Sequence, residues 1–348
     1  MKKTATIMAI TMGDPAGIGP ELALLGASQS KSDRKILIVG DRKRLELALE
    51  ILVSHNRLPE STQLVSISSP RDGWRMPLDA GTIGVIDLNN VPADLPWGMV
   101  TPEGGKASFS YVTTAIHLAL NEDIDGVCTG PINKKAWEQA HVPYPGHTEV
   151  FASLCNVKDY AMMLINDSLR VVHVTTHQSL VQAIQSLSIE RIVKTGRLTN
   201  RYLQQVGMAA PKVAVAGLNP HAGEYGLFGR EEIEIIRPAV EQMRQEGLRV
   251  SGPYPADTVF ARAQSGEFDA VVALFHDQGH IAIKMLGLDT GVNVTIGLPI
   301  LRTSVDHGTA FDIAGKGIVR ERSMIAALQV GFNDITRVGR MAFNGEVF

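Results

Sequence analysis

Short apolar segments rich in valine and isoleucine alternate along the chain with longer amphipathic segments of about helical length. This alternation is typical of βαβ units, in which the parallel strands are buried on both faces. We predict strands at TIMAITM, KILIVG, DGVCTG, RVVHVTT, KVAVAGL, DAVVALF and GVNVTIG. The pattern therefore predicts an α/β protein with a largely parallel sheet.

Three amphipathic segments are predicted to form the main helices, at residues 105–121, 188–206 and 229–246. Apolar residues recur in them at three-to-four spacing, and Ser188 stands where an N-cap is expected. Proline and glycine occur throughout residues 66–101. We predict that this segment is an irregular surface excursion.

The composition is that of a globular protein, with 348 residues of which 45% are apolar and 20% are charged. A chain of this length can form one large α/β domain or two packed lobes. The net charge of −3 leaves no excess of Lys and Arg to meet the phosphates of a nucleic acid. No apolar run reaches the roughly 18 residues of a membrane span. We therefore expect neither a nucleic-acid partner nor a membrane.

The first residues, MKKTATIMAITM, contain two lysines and an apolar run, as a signal peptide would. The run is short, rich in Thr and Ile, and lacks a small-residue cleavage pattern, so we predict a first strand instead. Cys128 and Cys155 are too few for a disulfide scaffold and do not form a CxxC pair. We expect inert core thiols and a cytoplasmic location.

Histidines follow three of the predicted strands, where ligands of open α/β sheets bind. RVVHVTT leads to His177, KVAVAGLNP leads to His221, and DAVVALF leads to His276. Three neutral imidazoles at neighbouring strand ends can hold one divalent ion and leave positions open for a substrate. The alternative for each histidine alone is a solvated or hydrogen-bonded loop residue, but the threefold pattern favours the metal.

The stretch FHDQGH raises a second possibility, because His276 and His280 lie four residues apart, as in a helical zinc motif. An apolar strand leads directly into His276, and we expect Gly279 to interrupt any helix before His280. We therefore predict one ligand and one neighbour. His173 precedes His177 in the same predicted strand by roughly 13 Å at about 3.3 Å per residue, so the two are not expected to share a metal.

Glycines and polar residues cluster in TMGDPAGIGPE, residues 11–21, and in VDHGTAFDIAGKGIV, residues 305–319. Neither is GxGxxG after a first strand or a Walker loop, so on pattern alone they are tight turns that open helices. Lys284, Asn293 and Arg302 are spaced nine residues apart. They are candidates for a phosphate or carboxylate site, although spacing alone supports scattered surface residues equally well.

Seven blocks together resemble the 4-hydroxythreonine-4-phosphate dehydrogenase family of pyridoxal phosphate biosynthesis. They are TMGDPAGIGPE, GPINKKA, PGHTEVFA, GLNPHAGEYGLFGREE, GPYPADTVF, FHDQGH and GVNVTIGLPILRTSVDHGTAFDIAGKG. The resemblance implies an isocitrate/isopropylmalate dehydrogenase-like fold with two α/β lobes, a cleft between them, and a homodimer whose active site is shared across the interface. We expect residues 1–130 with 290–348 in the first lobe, and residues 131–289 in the second, with the metal site and the dimer contacts.

The resemblance also implies roles for individual residues. The metal ligands are His177, His221 and His276, for one divalent ion such as Zn, Mg or Co. The substrate contacts are His147, Thr148, Lys284, Asn293 and Arg302, and the acidic site residues are Asp257 and Asp277, with Lys284 or Asp277 moving the proton. GDPAGIGPE and HGTAFDIAGKG are similar to two loops of the decarboxylating dehydrogenases. In those enzymes the second loop surrounds the adenosine of NAD. The similarity therefore implies cofactor contacts at Gly13, Asp14, His307, Gly308, Asp312 and Gly315.

One departure from the family pattern bears on the substrate, because HDQGH stands where the pyridoxine-pathway enzymes usually read HDQGL. This version is more similar to the branch that acts on 4-phospho-D-threonate and 4-phospho-D-erythronate, which carry a hydroxyl at carbon 2 in place of an ammonium. His280 near that carbon would hydrogen-bond the hydroxyl.

The resemblance thus implies oxidation at carbon 3 of a small phosphorylated acid by NAD, then decarboxylation to dihydroxyacetone phosphate and CO2. The alternatives within the resemblance are vitamin B6 synthesis and, as a minor one, the dihydrodiol dehydrogenase of terephthalate breakdown. The alternatives outside the resemblance are a class II aldolase, a metal hydrolase and a non-catalytic sugar-phosphate sensor. The adenosine loop argues against all three, because none of them needs it.

Overall fold

The computed structural model describes residues 5–69, 81–287 and 289–338. The chain divides into two compact units. Unit 1 comprises residues 1–157 and 298–348, and unit 2 comprises residues 158–297. The predicted first lobe comprised residues 1–130 and 290–348, whereas unit 1 also contains residues 131–157, and residues 290–297 lie in unit 2. Each unit has a mixed α/β fold.

The strands follow in chain order. They are β1 Thr6–Thr11, β2 Arg34–Gly40, β3 Gln63–Ser66, β4 Thr82–Asp87, β5 Gly126–Thr129, β6 Ala161–Asn166, β7 Leu169–His173, β8 Val213–Ala216, β9 Val250–Tyr254, β10 Ala270–Ala273, β11 Val292–Ile296 and β12 Arg302–Val305.

The helices follow in the same order. They are α1 Gly19–Ala27, α2 Arg42–Ser54, α3 Pro102–Leu120, α4 Lys134–Gln139, α5 His147–Leu154, α6 Leu180–Gln185, α7 Ile189–Gln205, α8 Arg237–Gln245, α9 Ala256–Gln264, α10 His276–Leu286 and α11 Arg322–Val338. A π-helical turn, Glu232–Ile236, directly precedes α8. Among the described residues, no helix is long and apolar enough to cross a membrane.

The strands of unit 1 are arranged in the order β3-β4-β2-β1-β5-β12, and every neighbouring pair is parallel. Ile10 of β1 lies beside Ile38 of β2 on one side and Cys128 of β5 on the other. Residues 7–11 are at most 1% exposed, as expected for a parallel strand covered on both faces. The carboxyl ends of these strands therefore meet at one edge of the unit.

The strands of unit 2 are arranged in the order β11-β6-β7-β10-β8-β9. The pairs from β7 to β9 are parallel, whereas β6 is antiparallel to both β11 and β7. The predicted largely parallel arrangement is thus confirmed with β6 as the exception. One core cluster contains Leu164 of β6, Val171 of β7, Val271 of β10 and Ile283 of α10, so α10 packs directly on the strands.

All seven predicted strands are present, and β3, β4, β6, β9 and β12 are additional. The prediction of an irregular segment at residues 66–101 is wrong in part, because β4 lies within it and pairs with β2 and β3. Residues 70–80 of that segment lie outside the described residues. The sequence pattern did not predict β4, because Gly84 interrupts its short apolar run.

The predicted helices at residues 105–121 and 188–206 correspond to α3 and α7. The third prediction, residues 229–246, is divided into the π-helical turn and α8. Pro238 stands in the first turn of α8 and has no N–H to continue an α-helical ladder from the preceding turn. The sequence signal located the helical segment but not the change within it.

The hydroxyl of Ser188 caps α7 by accepting a hydrogen bond from the Arg191 N–H at 3.2 Å. We expect Ser188→Ala to lower the free energy of unfolding by about 1 kcal/mol, since the amide loses its partner. Urea unfolding followed by circular dichroism measures the change. The matched control is Ser110→Ala, because the Ser110 hydroxyl lies inside α3 and donates to the Lys106 carbonyl. Equal losses in both variants would contradict the capping role.

Candidate active site

Four histidines gather in unit 2 beyond the carboxyl ends of β7 and β10, which pair in parallel. His173 ends β7, His177 follows it, and His276 and His280 lie in α10. The His276 and His280 rings stack with centroids 3.6 Å apart and planes at 14°. The centroids of His177 and His276 are 5.9 Å apart, and those of His173 and His280 are 4.7 Å apart. The strand-end signal thus led to a real cluster.

The expectation that Gly279 would interrupt the helix is wrong, because α10 begins at His276 and continues through Gly279. Gly279 is needed for close packing on β7. A Cβ atom there would overlap His173 Nε2 and lie 2.7 Å from Val171 Cγ1. The stacking of the two rings supports the prediction that His276 and His280 do not share an ion. A metal lies near the plane of each imidazole that binds it, and two nearly parallel stacked planes do not converge.

His280 lies behind His276 and is only 8% exposed. Its Nδ1 is 3.2 Å from His173 Nε2 and 3.1 Å from the His276 carbonyl oxygen. Burial, followed by the neighbouring His280, lowers the pKa of His173 to about 3. His173 is therefore neutral, and one of its ring nitrogens can share a proton with His280 in a hydrogen bond.

His276 also contacts Asp277, whose Oδ1 lies 2.7 Å from His276 Nδ1. A histidine that binds a metal commonly donates its other ring N–H to a carboxylate, which fixes the ring and leaves Nε2 for the ion. His276 is 35% exposed and Asp277 is 73% exposed. This pair fits a metal ligand with its supporting acid.

His221 lies in a segment with unusual backbone geometry, because residues 221–226 all have positive φ. Four of these six residues are not glycine: His221, Ala222, Glu224 and Tyr225. Left-handed backbone costs roughly 1–2 kcal/mol for each residue that carries a Cβ. The segment ends in exposed apolar side chains, with Tyr225 87%, Leu227 73% and Phe228 47% exposed.

The three predicted metal ligands do not all meet within the described chain. His177 and His276 come together, whereas the His221 ring is exposed and lies 6.2 Å from the ring of Phe228. No group of three His, Cys, Asp or Glu that could hold a metal occurs among residues 5–69, 81–287 and 289–338. His177 and His276 supply two imidazoles, with Asp277 hydrogen-bonded to the second, and a catalytic tetrahedral site needs a third protein ligand.

Gln278 was not identified from the sequence, although it stands in FHDQGH. Its Oε1 accepts from the Leu274 N–H at 2.7 Å, and its Nε2 donates to the Gly217 carbonyl at 2.7 Å. One side chain therefore joins the segment after β10 to the segment after β8, which leads to His221. Both partners are main-chain groups, so no residue pattern could have indicated them.

A buried cation characterises the candidate anion site of unit 1. Arg302 of β12 is 3% exposed, and its Nη2 donates to Thr129 Oγ1 at 2.9 Å. Burial lowers the pKa of Arg302 to about 10. The Arg302 guanidinium carbon lies 5.6 Å from the centre of the Phe151 ring. A guanidinium binds carboxylate and phosphate groups through charge-assisted hydrogen bonds, so the site suits an anionic ligand group.

His147 and Thr148 are the first two residues of α5, a position where backbone N–H groups favour anions. The His147 Nε2 atom is buried and has no hydrogen-bond partner. Burial, followed by the charges of Arg302 and Lys134, lowers the pKa of His147 well below its usual value. His147 is therefore neutral, and it has hydrogen-bonding capacity left for a ligand.

The two glycine clusters of the sequence contact each other in unit 1. Glu21 accepts hydrogen bonds from the Gly315 N–H at 3.0 Å and the Gly317 N–H at 2.8 Å. The Ile18 N–H donates to the Thr309 carbonyl at 3.0 Å. The buried carboxylate of Glu21 thus holds the DIAGKG turn, and the sequence had placed it only near a helix start.

Several candidate cofactor residues are at the surface of this loop pair. Gly308 and Asp312 are exposed, and the exposed His307 has its Nε2 2.7 Å from the Ser323 hydroxyl. Gly315 has φ +72°, and a Cβ there would lie 2.8 Å from the Trp97 ring. The loop therefore offers exposed groups on a backbone that Glu21 and Trp97 hold in place.

Gly13 and Asp14, the other two candidate cofactor residues, are buried. Gly13 has φ +75°, in the left-handed region that favours glycine. Asp14 is 1% exposed, and its Oδ1 accepts from the Ala16 N–H at 2.9 Å. Burial raises the pKa of Asp14 to about 6, against the opposing effects of the Ala16 hydrogen bond and the nearby Arg44. The geometry suits shaping the loop more than touching a ligand.

The remaining predicted residues lie in unit 2. Lys284 is exposed in the last turn of α10, four residues after His280. Asn293 of β11 pairs with Leu164 of β6, and its Oδ1 is buried without a hydrogen-bond partner. Asp257 is exposed in the first turn of α9.

Comparison with known proteins gives a consistent result. Residues 32–331 match the family model described as pyridoxal phosphate biosynthetic protein PdxA. A D-threonate 4-phosphate dehydrogenase of Cupriavidus necator is 46% identical, over 95% of this chain and 98% of its own. A 4-hydroxythreonine-4-phosphate dehydrogenase of Beijerinckia indica is 42% identical, over 95% of this chain and 94% of its own.

A crystal structure of 4-hydroxythreonine-4-phosphate dehydrogenase from Klebsiella pneumoniae superposes with a TM-score of 0.87. The identity is 42%, and the match covers 95% of this chain and 99% of that one. The resemblance of the seven sequence blocks is thereby confirmed over nearly the whole chain.

The raised pKa of Asp14 predicts a specific pH dependence of stability. A folded-state pKa above the unfolded one means that the folded chain binds more protons, so stability falls as pH rises through that interval. Asp14→Asn does not titrate. Its free energy of unfolding relative to the wild type should improve by on the order of 2 kcal/mol from about pH 4 to about pH 8. Urea unfolding across this range measures it.

The exposed residue Asp94 provides the control, because Asp94→Asn changes the same chemical group at the surface of the same unit. Its stability relative to the wild type should stay level across the series. A flat difference for Asp14→Asn as well would contradict the assigned burial effect.

Proposed function

Because the chain belongs to the PdxA family, we propose that it oxidises a 4-phosphorylated hydroxy acid with NAD⁺, with 4-phospho-D-threonate or 4-phospho-D-erythronate as the substrate. The observation that carries this proposal is the 46% identity, over 95% of the chain, to the D-threonate 4-phosphate dehydrogenase of Cupriavidus necator. The products would be dihydroxyacetone phosphate, CO2 and NADH.

One divalent ion, such as Zn, Mg or Co, would be held by His177 and His276, with the Asp277 carboxylate fixing the tautomer of His276. When bound, the ion supplies Lewis-acid polarisation of the reacting oxygen and stabilises the negative charge that develops there. Asp277 is occupied by its hydrogen bond to His276. Lys284 is therefore the proposed carrier of the proton, and Asp257 is kept as a second candidate.

We propose that His221 of a second copy completes the ligand set in a homodimer. His221 is exposed, and the apolar side chains of Tyr225, Leu227 and Phe228 beside it are exposed as well. An exposed apolar patch of this kind is typical of a surface that binds another protein. A second copy would cover these side chains, and an isologous contact would form two equivalent sites.

Each unit, taken by itself, contains polar residues that are candidates for binding the substrate. In unit 1, Arg302, His147 and Thr148 supply a buried cation, a neutral imidazole with an unused nitrogen and a helix N-terminus. In unit 2, Lys284 supplies a positive charge, and the buried Oδ1 of Asn293 is an acceptor that suits a hydroxyl and not an anion. These features support a substrate that carries anionic and hydroxyl groups.

The proposed reaction balances without a further reactant. Carbon 3 gives a hydride to NAD⁺ and its hydroxyl gives up a proton, which leaves a ketone. The carboxylate lies β to this ketone, so the bond between carbons 1 and 2 breaks and its electrons form an enolate. Lys284 would return a proton to carbon 2, which completes dihydroxyacetone phosphate.

NAD⁺ is assigned to the loop pair of unit 1, with His307, Gly308, Asp312 and Gly315 as contacts and with Gly13 and Asp14 shaping the loop. The bonds from Glu21 to Gly315 and Gly317 support this assignment, because a fixed loop loses little entropy when a ligand binds. The proposed effect of His280 on substrate choice is indirect. Its burial behind His276 favours control of that ring over direct contact with carbon 2.

The substrate assignment predicts an order of activities. NADH formation should be faster with 4-phospho-D-threonate or 4-phospho-D-erythronate than with 4-phosphohydroxy-L-threonine, by more than about tenfold in kcat/KM, because the site is proposed to bind a hydroxyl at carbon 2. Nicotinamide absorbance measures the rates, with and without added divalent metal.

Metal-stripped enzyme is the control, and it should be inactive until Zn, Mg or Co is returned. A preference for 4-phosphohydroxy-L-threonine would assign the chain to vitamin B6 synthesis, which the names of the Beijerinckia and Klebsiella relatives favour. Cleavage of the substrate without NADH formation would indicate an aldolase instead.

The shared metal site predicts complementation between inactive chains. His221→Ala and His276→Ala should each be inactive alone, whereas mixed dimers contain one intact site. Random mixing should therefore restore about one quarter of the wild-type activity. The matched control mixes His177→Ala with His276→Ala, whose lost ligands come from the same copy, so no activity should return. Equal recovery in both mixtures, or in neither, would reject the proposed sharing.

A further inference from the structure

Glu232 is a buried acid that no function assigned so far uses. It begins the π-helical turn and is 1% exposed. Its Oε1 accepts from the Leu218 N–H at 2.8 Å and from the Asn219 N–H at 2.7 Å. Its Oε2 accepts from Asn219 Nδ2 at 2.9 Å. All three hydrogen bonds reach the residues just before the left-handed segment at 221–226.

Other groups also surround Asn219 and the Glu232 carboxylate. Glu231 Oε2 accepts a second hydrogen bond from Asn219 Nδ2 at 2.7 Å. A Cβ at Gly223 would lie 2.7 Å from Glu232 Oε2, and one at Gly229 would lie 2.6 Å from Asn219 Nδ2. Glycine at both positions therefore lets the chain fold closely around the two carboxylates.

The base of the segment is anchored separately. The Gly217 N–H donates to the Tyr254 carbonyl at 2.7 Å, and the Gly217 carbonyl accepts from Gln278. Within the segment itself, the Ala222 N–H donates to the Asn219 carbonyl at 3.1 Å. The position of His221 thus depends on what holds Asn219, and Glu232 holds both its main chain and its side chain.

We propose that Glu232 is a positioning residue that holds the left-handed segment so that His221 is presented outward as a metal ligand. The π-helical turn supports this role, since such turns are frequent at functional sites. An unfavourable backbone conformation persists only where the surroundings enforce it, and the three hydrogen bonds of Glu232 supply that enforcement. The inference rests on the proposed metal site and names the residue that prepares one of its ligands.

The test compares Glu232→Gln with Glu234→Gln in the full-length protein. Glutamine keeps the size of Glu232 but puts an amide in place of one oxygen, so an N–H group faces an N–H group at Asn219 or at the main chain. Glu234 lies in the same turn but is exposed, with its carboxylate on Arg230. Hydrogen exchange of residues 217–228 and Zn²⁺ affinity against a fluorescent chelator are the two measurements.

We expect Glu232→Gln to speed exchange at Leu218 and Asn219 and to weaken Zn²⁺ binding by about 10- to 100-fold, as is usual when a group supporting a ligand is lost. Glu234→Gln should match the wild type in both measurements. Ser188→Ala, which destabilises unit 2 elsewhere, should also keep the wild-type affinity. It thereby separates positioning of His221 from a general loss of stability.

Asn219→Ala is the second variant, should Glu232→Gln fail to fold. It removes the side-chain bonds to both acids and leaves the main-chain bonds, so a smaller loss of Zn²⁺ affinity in the same direction is expected. Faster exchange with unchanged Zn²⁺ affinity would overturn the positioning role and leave Glu232 a purely structural residue. A wild-type protein that binds no Zn²⁺, Mg²⁺ or Co²⁺ would overturn the metal assignment itself, and this inference with it.

Discussion

The close packing of α10 on β7 is the constraint on which the histidine cluster depends. Gly279 has no Cβ and so allows contact with His173, while Ile283 joins the core under the strands. This contact fixes both the depth and the rotation of the helix. His276 and His280 consequently stack at the start of α10. A side chain at residue 279 would displace the helix and, with it, the His276 imidazole that is proposed to bind a metal.

In unit 1, buried charged side chains hold the polar loops in place. The Glu21 carboxylate is buried, and two main-chain N–H groups of the DIAGKG turn bond to it. Burial destabilises the charged forms of Asp14 and Arg302. It raises the pKa of Asp14 to about 6 and lowers the pKa of Arg302 to about 10. Burying charge disfavours folding, and a buried guanidinium such as that of Arg302 is suited to bind an anionic group.

The sequence predicted what depends on apolar pattern and strand ends, and missed what depends on tertiary contacts. Strands with continuous Val and Ile runs were identified. β9 and β12 were missed because their sequences, VSGPY and RTSV, lack such runs. The helix through Gly279 was predicted wrongly because packing on β7 outweighs the low helix propensity of glycine. Gln278 was missed because its partners are main-chain groups, and Glu232 was missed because two of its three hydrogen bonds are to main-chain groups, which no residue pattern records.

The left-handed segment and the incomplete metal cluster have a common explanation. Within the described residues of one chain, only two of the three candidate ligands come together, and His221 is not one of them. His221 would bind a metal if a second copy supplied the other two ligands. Metal binding and association of the two copies are then thermodynamically coupled, so each strengthens the other by the same factor. Under that coupling, the strain of residues 221–226 is offset by a ligand set that only the assembled protein possesses.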